Sequence, residues 1–136
     1  MDSYLEKYSS ILKLHNFSLT SPRRVVFEAL YSYGLQSMNQ LVSRCGSVNR
    51  ASVYRSVVIL EQLDIIIRVP QGFKYKIELS DIFLPHHHHI TCSICGRHSD
   101  IEQTRLEQLL SEIANGEGYS LTSHKVELLG ICPICK

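Results

Sequence analysis

The chain has no apolar run that could cross a bilayer. Its longest uncharged aliphatic stretch, around Ile65-Ile66-Ile67, falls far short of the roughly 20 residues a spanning helix needs. It also has no basic region leading into an apolar core: it opens Met1-Asp2-Ser3-Tyr4-Leu5-Glu6-Lys7, so neither a secretory leader nor a membrane partner is expected. There is no internal repeat beyond a doubled Cys-x-x-Cys, and no low-complexity tract beyond four histidines. Net charge is nearly absent as well, at +1 near neutral pH. Together these absences predict a cytoplasmic globular protein, and 136 residues suffice for one ordinary domain or two small ones. Thiols stay reduced in that compartment, so four of the five cysteines are read as metal ligands before disulfides.

The small net charge conceals an asymmetry. Residues 1–79 carry ten Lys and Arg against six Asp and Glu, whereas residues 80–136 carry four against seven. A basic first part joined to an acidic second part suits a nucleic-acid module attached to something else.

The first 63 residues read as helices. Tyr4, Leu5, Tyr8, Ile11 and Leu12 recur at helical spacing and predict a helix over about residues 3–16. Thr20-Ser21-Pro22 is a hydroxyl cap with proline in the first turn, and Gly34 ends the helix that follows. A short helix is expected around Met38, Leu41 and Val42, and another from Asn49 with Val53, Val57 and Leu60 on one side. Ile65–Val69 and Phe73–Ile77 then read as two strands around a turn at Pro70-Gln71-Gly72, the second alternating a packed face with a lysine face. Helices closed by a basic hairpin describe a winged helix-turn-helix. Asp81–Pro85 reads as a hinge. Beyond it the pattern predicts a strand into Cys92, a strand around His98–Ile101, a helix ending at Asn115-Gly116, and a last strand from Tyr119 to Ile131.

Cys92-x-x-Cys95 and Cys132-x-x-Cys135 supply thiolates in two pairs, and two such turns complete a tetrahedron about zinc. Four sulfurs leave no open position, so this zinc is structural; buried or redox-active thiols are the alternative. Cys45 has no partner nearby and reads as an inert core thiol. In the run His86–His89, strand alternation turns His86 and His88 one way and His87 and His89 the other, so one run can feed two metal sites. Imidazole suits zinc, iron, nickel or manganese, and carboxylates often complete such sites. Glu107 and His124 are candidate partners for His86 and His88.

These motifs, in this order, resemble the ferric uptake regulator (Fur) family of bacterial metalloregulators across nearly the whole chain. Thr20-Ser21-Pro22-Arg23 resembles the start of the family's second helix, and Ala51-Ser52-Val53-Tyr54-Arg55 its recognition-helix signature. His86-His87-His88-His89-Ile90-Thr91-Cys92-x-x-Cys95-Gly96 resembles its hallmark, and Leu121-Thr122-x-His124 precedes Cys132-x-x-Cys135 as in family members. The resemblance implies an α+β chain: a winged-helix DNA-binding domain over 1–80, a hinge over 81–85 and a metal-binding α/β dimerisation domain over 86–136. It implies structural Zn2+ at the cysteine quartet and a regulatory Zn2+, Fe2+ or Mn2+ at His86, His88, Glu107 and His124. His88 stands where iron- and peroxide-responsive members usually have aspartate; three nitrogens with one carboxylate favour zinc. A second family site would use His87 and His89 with Glu78, but the histidine it usually draws from near Leu35-Gln36 is missing here. Asp64, Asp81 and Glu61 are alternative carboxylates for it.

The implied partners are a double-stranded DNA operator and a second copy of the chain, with no small organic substrate. A recognition helix puts its N-terminal residues against base edges; here these are Asn49, Arg50, Ser52, Tyr54 and Arg55. Arg55 lies about 160° around the helix from Val53 and projects outward if the valine is buried. Arg23, Lys74 and Lys76 would hold the DNA backbone. Edge strands and the Leu106/Leu109/Ile113 face supply the expected homodimer interface. The competing readings are a peroxide sensor of the same family, a zinc-dependent hydrolytic enzyme and a metal-storage protein. No nucleophile, phosphate loop or acid–base pair near the ligands supports the enzyme.

Overall fold

Side chains that accept from unpaired backbone N–H groups mark where the helices of the first half begin, all but the first of them. The structure, a computed structural model, describes residues 1–71 and 73–136. Helix α1 (Asp2–Leu14) buries Tyr8 and Leu12, one turn apart. Helix α2 (Ser21–Tyr33) starts at the predicted cap, with Thr20 accepting from the Arg23 N–H and Pro22 in its first turn. Gly34 then ends it at φ 68°, the left-handed region that favours glycine. Helix α3 (Met38–Arg44) opens on reciprocal bonds: Gln40 N–H donates to Ser37 Oγ at 3.1 Å and Ser37 N–H to Gln40 Oε1 at 2.9 Å. Helix α4 (Arg50–Gln62) is capped by Asn49 Oδ1, which accepts from the Ser52 N–H at 2.8 Å.

Strands β1 (Ile66–Gln71) and β2 (Lys74–Leu79) pair antiparallel, from Ile66 opposite Leu79 to Gln71 opposite Lys74. Two expectations change here. Pro70 and Gln71 belong to β1 rather than to the turn, and Gly72, the third residue of that turn, lies outside the described residues. Burial also fails to alternate along β2: it deepens steadily from exposed Lys74 to buried Leu79. Near the tip of a projecting hairpin both faces meet water, and only the base reaches the core. Gln36 bridges to Ile77 through both backbone groups, which ties the base of the hairpin to the start of α3.

These elements close one apolar core that includes Tyr8, Phe27, Leu41, Val53, Leu60 and Ile77. Tyr8 stacks on Phe27 at 4.3 Å between ring centroids, and Phe83 meets Phe27 edge-on at 5.1 Å. Most of the segment read as a hinge therefore lies against the helices. Phe83 is in the core, and Lys7 Nζ donates to the Ile82 carbonyl at 2.6 Å. Cys45, which caps the C-terminus of α3, is fully buried in the same core, and burial pushes its thiol pKa up.

The chain divides into two compact units, Met1–Leu84 and Pro85–Lys136. In the second, β3 (His88–Cys92) is central, β4 (His98–Ile101) pairs antiparallel on one side and β5 (Glu127–Gly130) pairs parallel on the other. A parallel pair needs a crossover, and helix α5 (Thr104–Gly116) lies within it. The last strand is shorter than expected: residues 119–126 have no regular structure, and His124 lies in that stretch rather than on a strand. A strand forms only where it finds a neighbour; β3 begins at His88, and its first partner on β5 is Glu127, opposite His89. Among the described residues, no helix is long and apolar enough to cross a membrane.

Candidate metal centres and nucleic-acid interface

Two tight turns bring the four cysteines together. In the first, Gly96 at φ 76° lets its N–H return to the Cys92 carbonyl at 3.0 Å, and Ser93 N–H reaches Gly130 O at 2.8 Å, so the turn is fastened to the end of β5. In the second, Cys135 and Lys136 N–H both return to Cys132 O, at 3.1 and 3.0 Å. The four sulfurs all lie within 4.8 Å of one another, and Cys95 Sγ and Cys132 Sγ are 3.8 Å apart. A tetrahedron with 2.3 Å zinc–sulfur bonds has edges of about 3.8 Å, so the spacing fits zinc. The electrostatics fit as well. Backbone N–H groups of Cys95 and Cys132 bring the Cys92 thiol down to about 6, and the Cys135 N–H lowers Cys132. Cys135, hydrogen-bonded to the Cys132 side chain, is pushed up to about 12. The first thiolates form readily and the last resists, a conflict that a divalent cation removes.

The second cluster draws on the histidine run, α5 and the irregular stretch before β5. The rings of His86 and His88 lie 4.8 Å apart, as do those of His87 and His89, so the run separates into alternating pairs. Glu107, in the first turn of α5, sits among three imidazoles: Oε1 is 2.5 Å from His88 Nε2 and 3.3 Å from His86 Nε2, and Oε2 is 2.7 Å from His124 Nε2. The His88 hydrogen bond, helped by charge on His124 and His86, holds the Glu107 carboxyl below its usual range. His86 and His124 face each other Nε2 to Nε2 at 3.0 Å. Two nitrogens cannot both present lone pairs at that distance unless a proton or a cation lies between them. The four ligand atoms lie within 4.8 Å of one another, so small side-chain shifts would bring three nitrogens and a carboxylate to the roughly 3.3 Å edges of a tetrahedron with 2.0 Å bonds.

His87 and His89 lie on the other side of the run. His87 Nδ1 donates to Pro85 O at 2.7 Å, and buried His89 lies between two carboxylates, with Nδ1 3.2 Å from Glu127 Oε1 and Nε2 3.8 Å from Asp100 Oδ1. Sequence reasoning missed both carboxylates. They are the residues opposite His89 on the flanking strands β4 and β5, so a correct strand pairing would have found them. Glu78 is in the first unit, on β2. Of the alternative carboxylates, Glu61 is paired with Arg68 at 2.8 Å.

The N-terminal end of α4 carries the predicted nucleic-acid contacts. Val53 is buried and Arg55 is exposed on the opposite side, its guanidinium donating to Ser52 Oγ at 3.1 Å. Arg50 donates to Asn39 Oδ1 at 2.7 Å and lies 5.5 Å from the centre of the Tyr54 ring. Asn49 spends its carbonyl on the helix cap, which leaves its amide N–H groups as donors. Arg23 donates to Ser18 O at 2.7 Å over the Phe17 ring, while Lys74 is exposed and Lys76 half-buried on the hairpin.

Comparison with known proteins places this geometry. The sequence matches the Ferric uptake regulator family over residues 15–129. It is 33% identical to the ferric uptake regulation protein of Campylobacter upsaliensis across 98% of this chain and 90% of that one. The fold superimposes on the Vibrio cholerae ferric uptake regulator with a TM-score of 0.79 at 26% identity, covering 92% of this chain and 99% of that one. The Helicobacter pylori ferric uptake regulator, described as having three functional metal-binding sites, gives 0.84 at 23% identity over 98% and 92%. These relations do not single out a zinc-uptake branch. Matched over most of its length in both sequence and fold, the chain belongs to the ferric uptake regulator family, a family of transcription regulators rather than enzymes.

Proposed function

We propose that this chain is a dimeric, metal-responsive repressor that grips an inverted-repeat operator when a divalent metal joins His86, His88, Glu107 and His124. The observation that carries the reading is the meeting of these side chains, from three separate segments, with their ligand atoms all within 4.8 Å of one another. The bound metal supplies positive charge that holds three imidazoles and a carboxylate together. The protein's own contribution is geometric: Glu107 ties α5 to His88, and His86 lies directly after the segment that joins the two domains. In this reading residues 1–80 bind DNA, the 81–85 segment hinges at its Leu84-Pro85 end because Phe83 is held in the core, and 86–136 dimerise, with Zn2+ at Cys92, Cys95, Cys132 and Cys135 as a permanent staple. His87, His89 and Glu78 contribute to a further site.

Three nitrogens with one carboxylate favour zinc as the regulatory metal over iron or manganese. Shifting a two-state equilibrium from 1:99 to 99:1 takes about 5.5 kcal/mol of differential affinity, within the range of one well-coordinated metal. Asn49, Arg50, Ser52, Tyr54 and Arg55 read the major groove, while Arg23, Lys74 and Lys76 hold phosphate, a contribution that falls as salt rises. The deciding experiment is operator affinity against buffered zinc, iron and manganese, for the wild type and for His86→Ala with Glu107→Ala. Metal-dependent binding in the wild type, lost in the double variant, is expected. Binding that survives both substitutions overturns the mechanism.

A further inference from the structure

We propose that Asn39 is a positioning residue for DNA recognition: it holds the Arg50 guanidinium in one orientation, which makes Arg50 the reader of one guanine. The inference deepens the function proposed above and rests on its reading of α4 as the helix that enters the major groove. Arg50 is the first residue of α4, and the Asn49 cap fixes the backbone beneath it. Its side chain is exposed, and so long a chain ordinarily samples many rotamers that must be given up on binding. Two neighbours restrict it here. Asn39 Oδ1, in the first turn of α3, accepts from Arg50 Nη2 at 2.7 Å, and the guanidinium carbon lies 5.5 Å from the centre of the Tyr54 ring.

The brace comes from outside the helix. Arg55 is held by Ser52, three residues back on its own helix, so its orientation turns with α4 alone. Arg50 is held by the preceding helix, so its guanidinium is fixed relative to α3 and α4 as a pair. The chemistry of the brace also suits DNA. An amide carbonyl accepts a hydrogen bond without neutralising the cation, whereas a carboxylate at position 39 would cancel its charge and repel phosphate. One Arg50 N–H goes to Asn39, out of the five that a guanidinium carries. The remainder suffice for the paired bonds to guanine O6 and N7 that arginine makes in the major groove. An unbraced arginine in the same place would exchange between base edges and nearby phosphates, which carry no sequence information. Asn39 therefore contributes specificity without touching the DNA.

The test uses the full-length chain in buffered zinc, iron or manganese, and duplexes enriched by the wild type from a randomised pool. Affinities for every single-base change in the enriched sequence, and for an unrelated duplex, are measured against salt alongside thermal unfolding. The variants are Arg50→Ala, Asn39→Ala, their combination, and Asn39→Asp, which keeps the acceptor but adds charge. Arg50→Ala is expected to erase a guanine preference of about 5- to 150-fold at one position. Asn39→Ala should lower the preference at that same position by about 2- to 10-fold, with affinity for the unrelated duplex and melting unchanged. The combination should lose no more preference than Arg50→Ala, and Asn39→Asp should weaken every sequence alike while keeping it. An unchanged preference in Asn39→Ala overturns the proposal, as does a loss at a different position or one additive with Arg50→Ala. So does a uniform loss across sequences in Arg50→Ala with a shallower salt dependence, which marks a phosphate contact. A wild type that enriches no sequence in any of the three metals overturns the reading of α4, and the proposal with it.

Discussion

The two halves of this molecule are held together by different physics. Residues 1–84 close around an apolar core that packs aromatic rings from α1, α2 and the Phe83 segment against aliphatic side chains from α3, α4 and the hairpin. Residues 85–136 build no such core. Their buried residues are His88, His89, Thr91 and Cys92, while Leu109, Ile113, Leu129 and Ile134 are each more than half exposed and α5 buries nothing. Fifty-two residues are too few to bury much apolar surface, and chains of that size usually need a metal or a partner. In the second unit, candidate metal ligands stand where the first has an apolar core. Its buried residues are mostly candidate metal ligands, while its larger apolar side chains stay exposed.

The comparison breaks most visibly at the cysteines. Cys92→Ser, or stripping zinc with a strong chelator, should unfold the second unit while the helical signal of the first persists, giving two separate calorimetric transitions. A single transition that carries both units away would sink the contrast. Phe27→Ala should do the converse, costing the first unit about 3–5 kcal/mol in denaturant melts with zinc content intact. Leu109→Ala should leave both folds standing and weaken self-association by about 1.5–3 kcal/mol, read by sedimentation equilibrium. An unaffected dimer would mean that α5 is not at the interface. The smallest effect is expected at Thr20→Ala, about 1 kcal/mol from losing the cap of α2, confined to the first unit and measurable by amide exchange along that helix.

Legibility followed the same divide. In the first unit the helix starts could be read because they depend on neighbours in sequence: Thr20 caps α2 three residues before Arg23, and Asn49 caps α4 three residues before Ser52. Burial of Val53 and outward projection of Arg55 followed from helical spacing alone. Where distance from the core mattered more than periodicity, as along β2, the expected alternation failed. In the second unit the strand expected from Tyr119 shrank to four residues, because pairing with β3 rather than local propensity limits it. Asp100 and Glu127 went unnoticed for the same reason: nothing near them in sequence marks them as neighbours of His89.

Residue type and spacing set the candidate ligand chemistry: two Cys-x-x-Cys pairs, and a histidine run whose alternate members turn opposite ways. Those properties depend on residue type and on the two-residue period of an extended chain. Which groups meet depends on how the elements fold back on one another. Glu107 and His124 reach His86 and His88 because α5 and the stretch before β5 fold back across one strand. Glu127 reaches His89 because β5 joins β3 in one particular register. Contacts between residues nearly 40 positions apart are set by the packing of whole elements, and no local pattern encodes them.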